Sequence, residues 1–252
     1  MMKTTKEIYN STASNWDRKE AVLLSDFTAR PFVMELCEPL QGKKVLDLGC
    51  GEGFCSRQFM ARGAASVFGI DISEKMIAQA QAQEQKQPLG IQYEAGNAVD
   101  LERLPSDTYD LVACVFLFNY LNNEQTRQVM SGIRRVLKSG GQFVFTIPHP
   151  LYAFLRDNEY PFYFDAEGKG YFSGRDHTFM GEIWRRDGMP LQVQSVHKTL
   201  EDYFNALAAT GFDKMPFIKE LRVEEKHLEI DRAFFEPIYD MPLHVAFSLI
   251  NS

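Results

Sequence analysis

Short apolar runs alternate along the chain with longer stretches in which apolar residues recur every three or four positions. The runs predict strands at 44–48, 66–70, 91–94, 111–116 and 142–147. The stretches between them predict helices at 54–62, 73–87 and 123–138. Ser73 suits a cap for the second of these, with Met76, Ile77 and Ala80 as its apolar stripe. The third carries Val129, Met130, Ile133, Val136 and Leu137 on one face and stops at Ser139-Gly140-Gly141. Near-continuous apolar strands separated by helices predict an α/β fold with a parallel sheet covered on both faces. Ligands of such sheets bind outside the carboxyl ends of the strands, where the strand order reverses.

The flanks are less regular. Two helical segments are expected before the first strand, one over 4–16 and one starting at Ser25-Asp26 and fading by Glu38-Pro39, with Pro31 disturbing its first turns. Beyond Pro148 the 149–195 stretch is rich in glycine and aromatics, Tyr152 and Trp184 among them, and shows no clear period. It reads as an insertion after strand five that covers the cleft. A helix over 199–209, capped by Thr199 and Asp202 and stopped by Gly211, leads to two further strands at 217–223 and 244–250. The charged 224–240 stretch between them is expected to fold toward the same edge. With 252 residues, 45% hydrophobic and 24% charged, the chain suits a single domain. Its parts are a helical cap over 1–40, a core over 41–148, the insertion over 149–198 and a closing part over 199–252.

Chemistry concentrates in Val45-Leu46-Asp47-Leu48-Gly49-Cys50-Gly51-Glu52-Gly53, a strand that opens into a turn stripped of side chains. Such a turn lets a ligand reach backbone N–H groups. Its downstream partner, Val67-Phe68-Gly69-Ile70-Asp71, is a second buried strand ending in a carboxylate. Dinucleotide turns read G-x-G-x-x-G, whereas this one reads G-x-G-x-G, with Phe54 and Cys55 where the third glycine would stand. Asp47, just ahead of the turn, would repel a pyrophosphate and suits an ammonium or sulfonium. S-adenosylmethionine meets both demands, with its cationic tail at the turn and its ribose diol at Asp71.

The first motif closely resembles motif I of class I S-adenosylmethionine-dependent methyltransferases of the small-molecule type, and Gly69-Ile70-Asp71-Ile72-Ser73 resembles their second. The group includes the methyltransferases of quinone biosynthesis. The cofactor half is also similar to the toxoflavin-type azapteridine N-methyltransferases at Arg62-Gly63-Ala64-Ala65, Ile70–77 and Phe118-Asn119-Tyr120. The resemblance implies a Rossmann-like seven-stranded sheet with helices on both faces, closed by an antiparallel pair from the last two strands. It also implies cofactor contacts from Gly49, Cys50, Gly51 and Asp47 at the methionine tail and Asp71 at the ribose. Ile72 and Met76 would lie against the adenine, with Asn97 and Ala98 at its amino group; Asn97 stands where an aspartate is frequent and also suits a plain turn. Tyr9-x-x-x-Ala13-x-x-Trp16-Asp17 is similar to the N-terminal signature of these enzymes, whose first helix closes over the cofactor. Tyr9 and Arg18 are then further contacts, the alternative being an ordinary amphipathic helix. Phe116, Asn119 and Tyr120 are expected at the boundary between cofactor and acceptor.

Methyl transfer from a sulfonium is an in-line displacement that needs alignment, desolvation and modest base catalysis. His149, after strand five, and His197, ahead of the 199–209 helix, are the candidate bases. Tyr152, His177 and Trp184 are candidate acceptor contacts, and the aromatic insertion points to a flat or apolar acceptor. Arg175, Arg185 and Arg186 suit either an anionic group or a solvated surface.

Composition narrows the partners. The net charge is −7, the pI is near 5.3, and basic residues are dispersed, which argues against nucleic acid. No apolar run reaches membrane-spanning length, and the N-terminus lacks the apolar core of a leader. Cys37, Cys50, Cys55 and Cys114 form no C-x-x-C, so a reduced cytoplasmic setting without a metal cluster is expected. No N/D-P-P-Y tetrad follows strand four, which argues against amino-methylation of DNA bases or protein glutamine. The expected function is methylation of a small molecule at oxygen or nitrogen by a monomer or homodimer. A quinone-type carbon methyltransferase, a non-catalytic cofactor-binding regulator and an NAD-dependent oxidoreductase remain as alternatives.

Overall fold

The computed structural model describes residues 4–16, 18 and 20–252; Met1, Met2, Lys3, Asp17 and Lys19, and with them the last position of the N-terminal signature, lie outside the described residues. The chain begins with α1 (Thr5–Trp16), α2 (Leu24–Thr28) and α3 (Arg30–Leu36). The alternating core follows as β1 (Lys44–Leu48), α4 (Phe54–Ala61), β2 (Ser66–Asp71), α5 (Glu74–Lys86), β3 (Gln92–Ala95), β4 (Tyr109–Val115), α6 (Asn123–Val136) and β5 (Leu137–Pro148). The insertion supplies β6 (Phe162–Asp165), β7 (Thr178–Trp184) and β8 (Pro190–Val196). Last come α7 (Leu200–Ala209), β9 (Phe217–Leu221), α8 (Glu225–Ile230), α9 (Arg232–Phe235) and β10 (His244–Ile250).

The main sheet has seven strands in the order β3-β2-β1-β4-β5-β10-β9. Its first five strands are parallel, and β10 runs antiparallel to both β5 and β9. Alternate residues serve opposite layers. Leu46, Val112, Phe143 and Phe145 pack toward α6 and α7, while Val45, Val67, Leu111 and Val144 pack toward α3, α4 and α5. The order reverses between β1 and β4, and that switch point places the site.

Three expectations need correction. The second N-terminal helix is two short helices broken at Ala29, and Asp26 does not begin it. Its carboxylate instead accepts from the backbone N–H groups of Val22 and Leu23 at 3.0 and 2.9 Å. Helix α6 ends at Val136, not 138, because Leu137 already pairs with Tyr109 in the sheet. The Asn251 amide then donates to the carbonyls of Arg134, Leu137 and Lys138, giving the helix end the donor partners a glycine stop would otherwise provide. Finally, the insertion is not irregular: β6, β7 and β8 form a three-stranded antiparallel sheet. Phe162, Phe164, Phe179, Leu191 and Val193 face inward from it onto Trp16, Leu23, Leu24, Phe234 and Phe235, building a core of its own.

Candidate active site

A cavity of about 330 Å³ opens at the switch point. At one end it is lined by Asp47, Gly49, Cys50, Gly51 and Asp71, with Ile72, Met76, Asn97 and Ala98 beside them. The other end is walled by Tyr152, Phe164, Ile183, Trp184 and Val193 from the insertion. Tyr9, Arg18, Phe116, Asn119 and Tyr120 lie along the same cavity. The structure thus brings together residues from Tyr9 to Trp184 that the sequence had named piecemeal, and adds Phe164, Ile183 and Val193.

The turn is wired differently from the expectation that its N–H groups face a ligand. Gly49 and Cys50 donate to the Ile70 carbonyl at 2.8 and 3.1 Å, Gly51 to Asp71 Oδ2 at 2.9 Å, and Gly53 to Cys50 at 3.0 Å. These donors are consumed in joining β1 to β2, so they are not available to hold a pyrophosphate. The positive φ of Gly49 (74°) and Gly51 (55°) makes this folding-back possible, and a β-carbon on Gly51 would meet nothing within 4 Å. What the turn presents is open space edged by carboxylates.

Burial dominates the electrostatics of those carboxylates. Asp47 is 1% exposed and accepts from Ser56 Oγ at 2.6 Å. Burial pushes it up to about 7 against the Ser56 bond, and the nearby charges of Asp71 and Glu52 add to the rise. Burial likewise lifts Asp71 to about 6, although the N–H groups of Ser73 and Gly51 each bind one of its oxygens and hold it down. Those two bonds fix the carboxylate and leave each oxygen lone pairs for a diol. Such groups gain from a cation. Arg18 adds a buried charge of the opposite sign, 3.3 Å from both Asp26 and Glu52, with its guanidinium over the Phe54 ring.

Helix α1 lies across the cavity mouth and is tied to both sides. Asn10 Oδ1 accepts from Ser73 Oγ at 2.7 Å and Lys75 N at 3.2 Å. On the insertion side Gln194 donates to Thr5 Oγ1 at 2.6 Å, and Arg185 to the Asn15 carbonyl at 2.8 Å. The Tyr9 hydroxyl bonds that of Tyr120, their rings edge to face at 5.5 Å.

Residues 45–141 match a protein family described as methyltransferase domain. An uncharacterized protein of Haemophilus influenzae is 34% identical over 148 residues, 56% of each chain. The ubiquinone biosynthesis O-methyltransferase of Pseudomonas savastanoi is 35% identical over 107 residues, 42% of this chain and 45% of that one. The chain therefore spans about half the length of the curated relatives it matches. The crystal structure of an S-adenosylmethionine dependent methyltransferase from Mesorhizobium loti superposes with a TM-score of 0.64 at 23% identity, covering 87% of this chain and 96% of that one. Over residues 45–141 the chain thus matches a methyltransferase domain, and its fold is that of the Mesorhizobium loti enzyme. S-adenosylmethionine is the donor named for that Mesorhizobium loti protein.

The histidines expected near the acceptor do not line the cavity, because hydrogen bonds hold their rings elsewhere. His149 Nε2 bonds Glu220 Oε1 at 3.1 Å, and its Nδ1 accepts from Leu151 N at 3.1 Å. His197 Nε2 bonds the Tyr171 carbonyl at 2.7 Å between the rings of Phe154, Phe179 and Tyr171, and His177 Nδ1 bonds the Arg175 carbonyl at 3.1 Å. Arg175, Arg185 and Arg186 are engaged with Asp202, Asp187 and Asp231 and also lie off the cavity.

Arg30 and His244 are among the lining residues that were not anticipated. Arg30 sits 3.0 Å from Asp26 Oδ1 with its guanidinium 5.3 Å from the Phe116 ring centre. His244, the first residue of β10, meets the same Phe116 ring edge on at 5.1 Å. A sequence signal for His244 existed: a strand antiparallel to parallel neighbours begins at the edge where they end. Phe116 itself holds φ 62°, a strained backbone for a bulky residue, at the boundary between the two ends of the cavity.

Proposed function

We propose that this methyltransferase domain transfers the methyl group of S-adenosylmethionine to an oxygen of a small, flat, largely apolar molecule. The observation that carries the reading is the turn whose N–H groups are used internally while Asp47 and Asp71 stay buried beside open space. That arrangement repels a pyrophosphate and welcomes a cation. Bound there, the sulfonium supplies an activated methyl group. Asp47 takes the tail ammonium and Arg18 its carboxylate; Asp71 takes the ribose hydroxyls. Ile72, Met76 and Ala98 enclose the base, and Asn97, whose Oδ1 also accepts from Val99 N at 3.2 Å, meets its amino group. Tyr9 and Phe116 hold the sulfonium end. The insertion and the core act as one domain, because the acceptor must lie between them: Tyr152 and Trp184 form its apolar walls, and Asn119 and Tyr120 face it from the end of β4. Of the two lining arginines Arg18 is taken by the donor's tail and Arg30 is paired with Asp26, which favours an acceptor of no strong negative charge. Relatives named O-methyltransferases support oxygen as the target.

Titration calorimetry with S-adenosylhomocysteine and with NAD tests the donor: binding of the first alone is expected, and binding of NAD alone would sink the proposal. Incubating S-adenosylmethionine with a panel of hydroxyaromatics and following S-adenosylhomocysteine then tests the transfer.

A further inference from the structure

His244 differs from every other histidine of the chain. Of the five, His149, His177, His197 and His227 each bond a protein group through a ring nitrogen. His244 is 4% exposed, and neither Nδ1 nor Nε2 has a partner. A buried imidazole left without hydrogen bonds calls for a ligand that supplies them. Its location says where that ligand sits. Paired with Pro148 on one side and Leu221 on the other, His244 stands at the carboxyl edge of the parallel strands and lines the cavity. The Phe116 ring packs on it from the cofactor side and the Tyr152 ring, centred 5.8 Å away, from the acceptor side. Asn119 Oδ1, on the same cavity, is likewise buried and unpartnered.

Resting on the methyltransferase reading above, we propose that His244 is the catalytic base, its imidazole accepting the hydrogen bond of the acceptor's hydroxyl and taking its proton as the methyl group arrives. The step balances. The hydroxyl oxygen forms a bond to the methyl carbon while the carbon–sulfur bond breaks, its electron pair staying on sulfur to give the neutral thioether. The O–H proton passes to a ring nitrogen and leaves for solvent when the product departs. Burial, with Arg30 and His149 nearby, lowers His244 to about 3, so the ring is neutral and free to accept. So weak a base suffices for oxygen, because a hydroxyl that has gained a methyl group is a far stronger acid than any imidazolium. It does not suffice for an aliphatic amine, whose product ammonium would keep its proton.

The test uses the full chain with ¹⁵N-histidine labelling, saturated with S-adenosylhomocysteine and titrated with phenol, catechol and 4-nitrophenol. At least one phenol is expected to bind and move the His244 ring-nitrogen resonances, leaving those of His177 and His227 in place. His244→Phe is expected to keep homocysteine-product affinity within about twofold and to lose phenol affinity by roughly tenfold, with His244→Gln between them. Bound phenol with unmoved His244 resonances, phenol affinity unchanged in His244→Phe, or no binding by any of the three would overturn the proposal. Loss of S-adenosylhomocysteine binding by the wild-type protein would instead overturn the donor assignment.

Discussion

The two ends of the cavity are built on different plans. At the donor end Gly49, Cys50, Gly51, Asp47 and Asp71 all have hydrogen-bond partners within the protein, and their geometry is fixed before any ligand arrives. At the acceptor end aromatic walls surround the His244 ring nitrogens and Asn119 Oδ1, which have none. A site for one invariant ligand can be wired in advance; a site for a chosen acceptor keeps an apolar shell and a few polar groups for orientation. The two ends also belong to different cores, the sheet layers for the donor and the insertion's own cluster for the acceptor.

That division can be broken from either side. Phe162, fully buried and stacked on Tyr152 at 3.9 Å, anchors the insertion's core. Phe162→Ala should cost about 3–5 kcal/mol in denaturant unfolding, while the folded fraction keeps its affinity for S-adenosylhomocysteine; equal loss of both would mean that the cores are not separable. Asp71→Ala is the converse. It should weaken S-adenosylmethionine by about a hundredfold, ~2–3 kcal/mol, in calorimetry, and unchanged affinity would remove the ribose from this carboxylate.

The sequence displayed these halves unequally, for physical reasons. Strands buried on both faces, such as 44–48 and 111–115, show as unbroken apolar runs, and an acid-flanked glycine turn has few uses, so the donor end was readable. The insertion strands bury one face only. Phe162-Tyr163-Phe164 alternates for too few residues to stand out, and in β7 an inward position is held by Gly181, where a side chain would strike Tyr163 and Phe164. Which histidine lines the cavity depended on the register of β10 against β5, where His244 pairs with Pro148, a long-range pairing that no local pattern encodes.

Acidity gives a finer probe of the donor end. Asp47 near 7 must be ionised to hold the tail ammonium, so S-adenosylmethionine affinity should fall by up to about tenfold per pH unit below 7, and binding at neutral pH should release protons. Calorimetry in buffers of different ionisation enthalpy measures that release; its absence would contradict the assignment. For the protein alone the sign is opposite. The protonated carboxyls suit their burial, so their contribution to folding is complete below 3.8 and lost as the pH rises through 6 to 7. The smallest effect expected is that of Tyr9→Phe, which removes the hydroxyl bonded to Tyr120 and should weaken the donor by ~1 kcal/mol, read as faster dissociation in stopped-flow fluorescence.

Helix α1 is fastened to α5 through Asn10 and to the insertion through Thr5 and Asn15. One element therefore serves as the gatepost for both compartments, and neither spent donor nor methylated product can depart without loosening a fastening they share. On the proposed methyl transfer, release through that shared fastening is expected to limit turnover, and the first catalytic cycle should run ahead of those that follow as a pre-steady-state burst.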